Sequence, residues 1–207
     1  MTGLFSFNSP LWRFVDRILH LMWLNLLWLV CSLPVVTMGA ATTALYSVTL
    51  KYAGNREGYL TREYFRAFIG NFWQSTLIFL LLSAAGIFLG MDFIVYARSS
   101  MSDILSFILL FAFFTCLLLF AFMNLYVYAI IAKFRTTVPH CLKNAFIMSI
   151  CHWPCSVLMI AAALAILAVG FLLFPPVLFV GSALYCYLCS KFFVRIFSRY
   201  IPGDDCR

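Results

Sequence analysis

Charged residues are absent from four stretches of this chain, 18–50, 72–91, 104–132 and 144–190. Each is at least as long as the roughly 20 apolar residues that cross a bilayer as a helix. The last stretch is too long for one crossing: at 1.5 Å per residue it would reach about 70 Å against a hydrocarbon core of about 30 Å. Phe174, Pro175 and Pro176 mark the place to fold back, because consecutive prolines remove helix donors and restrict the residue before them. Spans at 147–172 and 177–195 are therefore expected, beside those at 72–91 and 104–132.

The first stretch, 18–50, would be about 50 Å long as one helix, and Pro34 with Gly39 interrupts it. Two arrangements fit: a re-entrant or protein-buried hairpin of two half-length helices, or one span with an interfacial extension. The hairpin is preferred because it puts Arg13 and Arg17 on the same side as most other basic residues. Polar residues also recur at helical spacing in three flanking segments. Segment 9–21 has Ser9 to cap, Pro10 at the first helical position and a stripe of Arg13, Asp16, Arg17 and His20. A second begins at Thr61 with Glu63, Arg66, Gly70 and Gln74, and a third covers about 138–147 through Lys143. All three read as helices at the membrane surface. The expected fold is all-α: a single membrane domain, 1–207, with five long spans or a broken first element plus four, and short amphipathic interfacial helices.

Composition agrees. The chain is 65% hydrophobic and 10% charged, far below the about 25% charged residues of soluble globular domains. The net charge of +7 does not point to nucleic acid, since the basic residues lie between and beside the spans. Lys51, Arg56, Arg62 and Arg66 follow the first stretch; Lys133, Arg135 and Lys143 follow the third; Lys191, Arg195, Arg199 and Arg207 close the chain. By the positive-inside rule these regions face the cytoplasm and the connections at 92–103 and near Pro175 face outward. The expected location is the cell membrane, multi-pass, with a cytoplasmic C-terminus. The apolar run is longer than a signal-peptide core, so no cleaved signal is expected.

Candidate chemistry is sparse. Cys151-His152-Trp153-Pro154-Cys155, with His140 and Cys141 upstream, gathers thiol and imidazole groups, but the spacing matches no zinc pattern and no metal is assigned. Cys186 and Cys189 read as small apolar residues of a membrane core. Asp92 falls at the outer end of its span, as an anchor. Asn25 and Asn124 lie deeper, so each is expected to find a partner across a helix interface. Gly86 and Gly90, and the row Ala161, Ala165 and Ala168, allow close helix approach. Around the break, Thr37, Thr42 and Thr43 can satisfy carbonyls freed by Pro34. With Gly39 and Asn25 they form the candidate ligand-binding set, since broken helices build transporter sites. Arg62, Arg66, Phe68 and Lys143 form the candidate partner-binding set. No phosphate-binding loop, zinc helix, nucleophile elbow or paired intramembrane carboxylates occurs, so neither an enzyme nor a cofactor is expected.

The run from Asn8-Ser9-Pro10-Leu11 through Leu24-Asn25-Leu26-Leu27-Trp28 to Ser32-Leu33-Pro34-Val35-Val36-Thr37-Met38-Gly39-Ala40-Ala41-Thr42-Thr43-Ala44-Leu45-Tyr46 resembles the YesL family of bacterial membrane proteins, a domain of unknown function. The likeness continues at Arg56-Glu57-Gly58-Tyr59, Phe65-Arg66-Ala67-Phe68, Asn71-Phe72 and Leu142-Lys143-Asn144-Ala145. The resemblance implies an accessory subunit, assembly factor or regulator of a carbohydrate ABC importer, because members are often encoded beside such importers. It supplies no catalytic residue. The expected partners are the lipid bilayer and either ABC permease subunits or further copies of the chain. The alternative is a small-solute or lipid transporter with its site at the broken helix from Pro34 to Thr43.

Overall fold

The computed structural model describes residues 10–54, 59–98, 103–134, 136–172 and 178–197. The regular structure among them is helical: α1 (Pro10–Ser32), α2 (Met38–Ala53), α3 (Leu60–Arg98), α4 (Asp103–Lys133), α5 (Val138–Cys151), α6 (Trp153–Leu172) and α7 (Leu178–Phe197), with one 3-10 turn at Val35–Thr37. Three of these are long and apolar enough to cross a membrane among the described residues: Leu60–Ile94, Ile108–Lys133 and Trp153–Phe171. The all-helical membrane fold expected from the charge-free stretches is thus the fold observed.

The first charge-free stretch is broken between α1 and α2. Pro34 takes an extended backbone, φ −74° and ψ 115°, and its ring nitrogen has no hydrogen to donate. Thr37 bridges the break: its Oγ1 lies 2.6 Å from Cys31 O and 2.7 Å from Pro34 O, and its backbone N–H also bonds Pro34 O at 2.9 Å. Such side-chain capture lets a helix break persist where water is scarce.

Three boundaries differ from the expected ones. The 9–21 segment is not a separate helix, for α1 runs without interruption from Pro10 to Ser32. The amphipathic segment from Thr61 is likewise continuous with the following span, giving α3 39 residues, about 58 Å at the α-helical rise. No proline lies within it, and isolated glycines such as Gly70 lower helix stability without ending the helix. The expected 147–172 span, by contrast, is divided. α5 ends at Cys151, His152 leaves helical geometry at φ −115° and ψ 38°, and α6 begins at Trp153. Pro154 is the cause: in a continuous helix its ring would clash with the carbonyl of Ile150, whereas in the first turn of α6 its missing donor costs little.

α2 occupies the middle of the molecule, packed by α1, α3, α4 and α7. Ten of its 16 residues are buried, from Gly39 to Leu50. Small side chains at its start make this possible. A Cβ added at Gly39 would stand 2.6 Å from Phe79 Cβ and 2.7 Å from Ser75 O, so α3 lies directly against the α2 backbone. Further along, the Phe193 ring meets Tyr46 and Tyr126 edge-on, at 6.0 and 5.2 Å between centroids. α7 and α4 are thereby locked to α2 by one aromatic cluster. The outer surfaces of the long helices carry exposed Phe, Leu and Ile side chains, as suits contact with lipid rather than water.

Candidate functional site: the hydroxyl seam around α2

Among the described residues most buried polar groups are hydroxyls, and several are paired between helices, whereas Thr76 Oγ1 finds no partner and Ser149 bonds Phe146 O within α5. Thr43 Oγ1 donates to Gly39 O at 2.9 Å and accepts from Ser75 of α3 at 2.9 Å. Thr49 Oγ1 sits 2.9 Å from Leu45 O and 2.9 Å from Ser190 Oγ of α7. Each threonine thus spends its proton on the carbonyl one turn back and offers a lone pair to a neighbouring helix. With no charge to desolvate, the seam fixes the rotation of α3 and α7 about α2 at low cost. Outside α2, Ser182 of α7 bonds Asn25 Oδ1 of α1, and Ser156 of α6 donates to Tyr126 Oη of α4 at 3.0 Å.

The five candidate ligand-binding residues do not meet at one point. Asn25 is buried against α7, so its amide crosses a helix interface as expected. Thr37 caps the break. Thr42 donates to Met38 O at 2.7 Å and accepts from Trp28 Nε1 at 3.3 Å, facing α1. Gly39 and Thr43 face α3, and the volume beside Gly39 is filled by Phe79 and Ser75.

Of the candidate partner residues, Arg62, Arg66 and Lys143 are exposed. Phe68 is turned inward, half-buried against the core and stacked on Tyr64 at 6.5 Å between centroids, with the edge of Phe72 at 5.6 Å.

Asn124 behaves otherwise than its depth suggested: its amide donates to Phe120 O, 2.9 Å away in its own helix. Gly86 does allow close approach, since an added Cβ would reach Phe120 Cζ at 3.3 Å, but Gly90 faces open space. Cys151 is exposed, Cys155 half-buried and Cys141 buried. No group of three or more His, Cys, Asp or Glu side chains able to hold a metal occurs among the described residues. Burial pushes the Cys141 thiol up to about 11, so it stays protonated and unreactive near neutrality.

Sequence reasoning missed Ser75, Ser156, Ser182 and Ser190. Their signal was present, since a hydroxyl inside a charge-free stretch must find a partner. Spacing along one helix does not say which other helix supplies it.

These features define a class: a helical membrane protein organised around a short, buried, hydroxyl-bearing helix. Residues 21–93 match the family described as "Protein of unknown function, DUF624". The match covers the second half of α1, all of α2 and the greater part of α3, and so includes Asn25, Thr43, Thr49 and Ser75. The chain is also similar to "Uncharacterized protein YesL" of Bacillus subtilis (strain 168), at 26% identity over 201 residues, covering 95% of this chain and 94% of that protein. Both comparisons support the family resemblance read from the residues: the chain is similar to the YesL family. No solved structure matches it.

Proposed function

We propose that this protein works by contact with other membrane components, as an accessory subunit, assembly factor or regulator of a carbohydrate ABC importer. The observation that carries the contact reading is the engagement of the α2 hydroxyls. Thr43 and Thr49 are each taken up by a backbone carbonyl and a serine of a packed helix, which supports a role in holding the bundle together. The resemblance to the YesL family supplies the importer as the expected partner. In this reading the protein performs no chemistry of its own, and the basic ends of the helices and the C-terminus face the cytoplasm.

The test is carbohydrate uptake in cells lacking the protein, measured together with permease abundance. Loss of oligosaccharide uptake with reduced or unassembled permease supports the reading. Unchanged uptake and permease levels across oligosaccharide substrates contradict it.

A further inference from the structure

We propose that one face of α3 binds the phosphate headgroup of an anionic phospholipid through Arg62 and Arg66, an assignment independent of the importer reading. At about 100° per residue, Arg62, Arg66, Ile69, Trp73 and Leu77 fall within about 80° of one another around the helix. All five are exposed, Ile69 at 73%, Trp73 at 85% and Leu77 at 52%. The same face continues apolar to Met91, also exposed. From Trp73 to Met91 the helix rises about 27 Å, close to the hydrocarbon thickness of about 30 Å. Tryptophan favours the headgroup boundary, so Trp73 marks one edge of the lipid core. Arg66 and Arg62 then stand about 10 and about 16 Å beyond it along the axis. A long arginine side chain at the first of these heights reaches back to the phosphate layer.

Two further features fit a headgroup there. Gly70 lies on the surface between Arg66 and Trp73, and nothing stands within 4 Å of where its Cβ would be. The glycine leaves open space on the helix surface one turn along from Arg66. The nearby carboxylate, Glu63, is held by Lys51 at 3.1 Å, and among the described residues neither arginine has a carboxylate partner. Two unneutralised guanidinium forks one helical turn apart match phosphate oxygens in bidentate geometry. The apolar face directly below takes acyl chains, which commits the site to a lipid rather than a soluble anion.

The test is native mass spectrometry of the detergent-purified protein titrated with dioleoylphosphatidylglycerol or dioleoylphosphatidylcholine. The wild type is expected to retain the glycerol lipid preferentially. Arg66→Gln is expected to weaken that retention about fivefold and Arg62→Gln, one turn further from the lipid core, by less, both leaving the choline lipid unaffected. Gly70→Leu fills the open space without altering charge and should weaken it as well, with the melting temperature confirming that each variant is folded. Equal retention of both lipids by the wild type overturns the proposal. So does an equal loss on Lys143→Gln, which would mean a diffuse basic surface, or displacement of the lipid by an equal concentration of inorganic phosphate.

Discussion

Thr49 and Ser190 meet hydroxyl to hydroxyl at 2.9 Å, although 141 positions separate them in the chain. Both are fully buried, and the contact joins the central helix α2 to the final helix α7. Thr49 is also bonded to Leu45 O, so it does not lose every partner when Ser190 is removed.

Ser190→Ala should therefore destabilise the bundle only modestly, by about 0.5–1 kcal/mol, within the range of interhelical hydrogen bonds in membranes. Thr49→Val should cost a similar amount. The double variant should cost less than the sum, since both single changes remove the same bond. Reversible unfolding in detergent micelles measures the cycle, and strict additivity would show that the two hydroxyls do not interact.

Gly39 should tolerate a side chain less well than Gly54, Gly70, Gly86, Gly90 or Gly181. Its missing Cβ would overlap Phe79 Cβ and the Ser75 carbonyl at 2.6 and 2.7 Å, and the latter is backbone that cannot rotate away. Gly39→Ala should cost about 1–3 kcal/mol, as overpacking of a close-packed core does. Gly90→Ala has free space around it and should be neutral or slightly stabilising through helix propensity. Melting temperatures of the two variants in detergent decide the matter, and an unperturbed Gly39→Ala would refute the close α2–α3 approach.

Those glycines show what was legible beforehand. Pro34 announced the helix break because a missing donor is local chemistry, and the break was found where it was expected. The small residues from Gly39 to Ala44 announced close packing, but not that α3 would supply it, since the choice of neighbour is set by tertiary geometry. Pro154 is as local a signal as Pro34, yet its break was not anticipated, because the hydropathy of 144–190 continues unchanged through His152. Phe68 is expected in the partner-binding set with Arg62 and Arg66, whereas it stacks on Tyr64 against the core. The seam serines were the least legible, since a hydroxyl in an apolar stretch carries no directional information.

Cys141 should resist alkylation in the folded protein. Its thiol is buried and pushed up to about 11, while the attacking species is the thiolate. In a variant keeping Cys141 as its single cysteine, N-ethylmaleimide at pH 8 should react slowly until denaturant is added. The same shift has a pH consequence. Below about pH 9 the thiol is protonated whether the chain is folded or unfolded, so it adds no pH dependence. Between about 9 and about 11 the unfolded chain releases its proton first, so this residue makes stability fall as pH rises. Unfolding curves of the single-cysteine variant and its Cys141→Ala counterpart should diverge in slope over that window, and parallel curves would contradict the burial of the thiol.

The most direct test of the contact reading is recovery of this protein from native membranes in mild detergent, with the co-purifying chains identified by mass spectrometry. The expected result is stoichiometric recovery of the permease subunits of a carbohydrate ABC importer. Recovery of the protein alone, or only with further copies of itself, would contradict that reading.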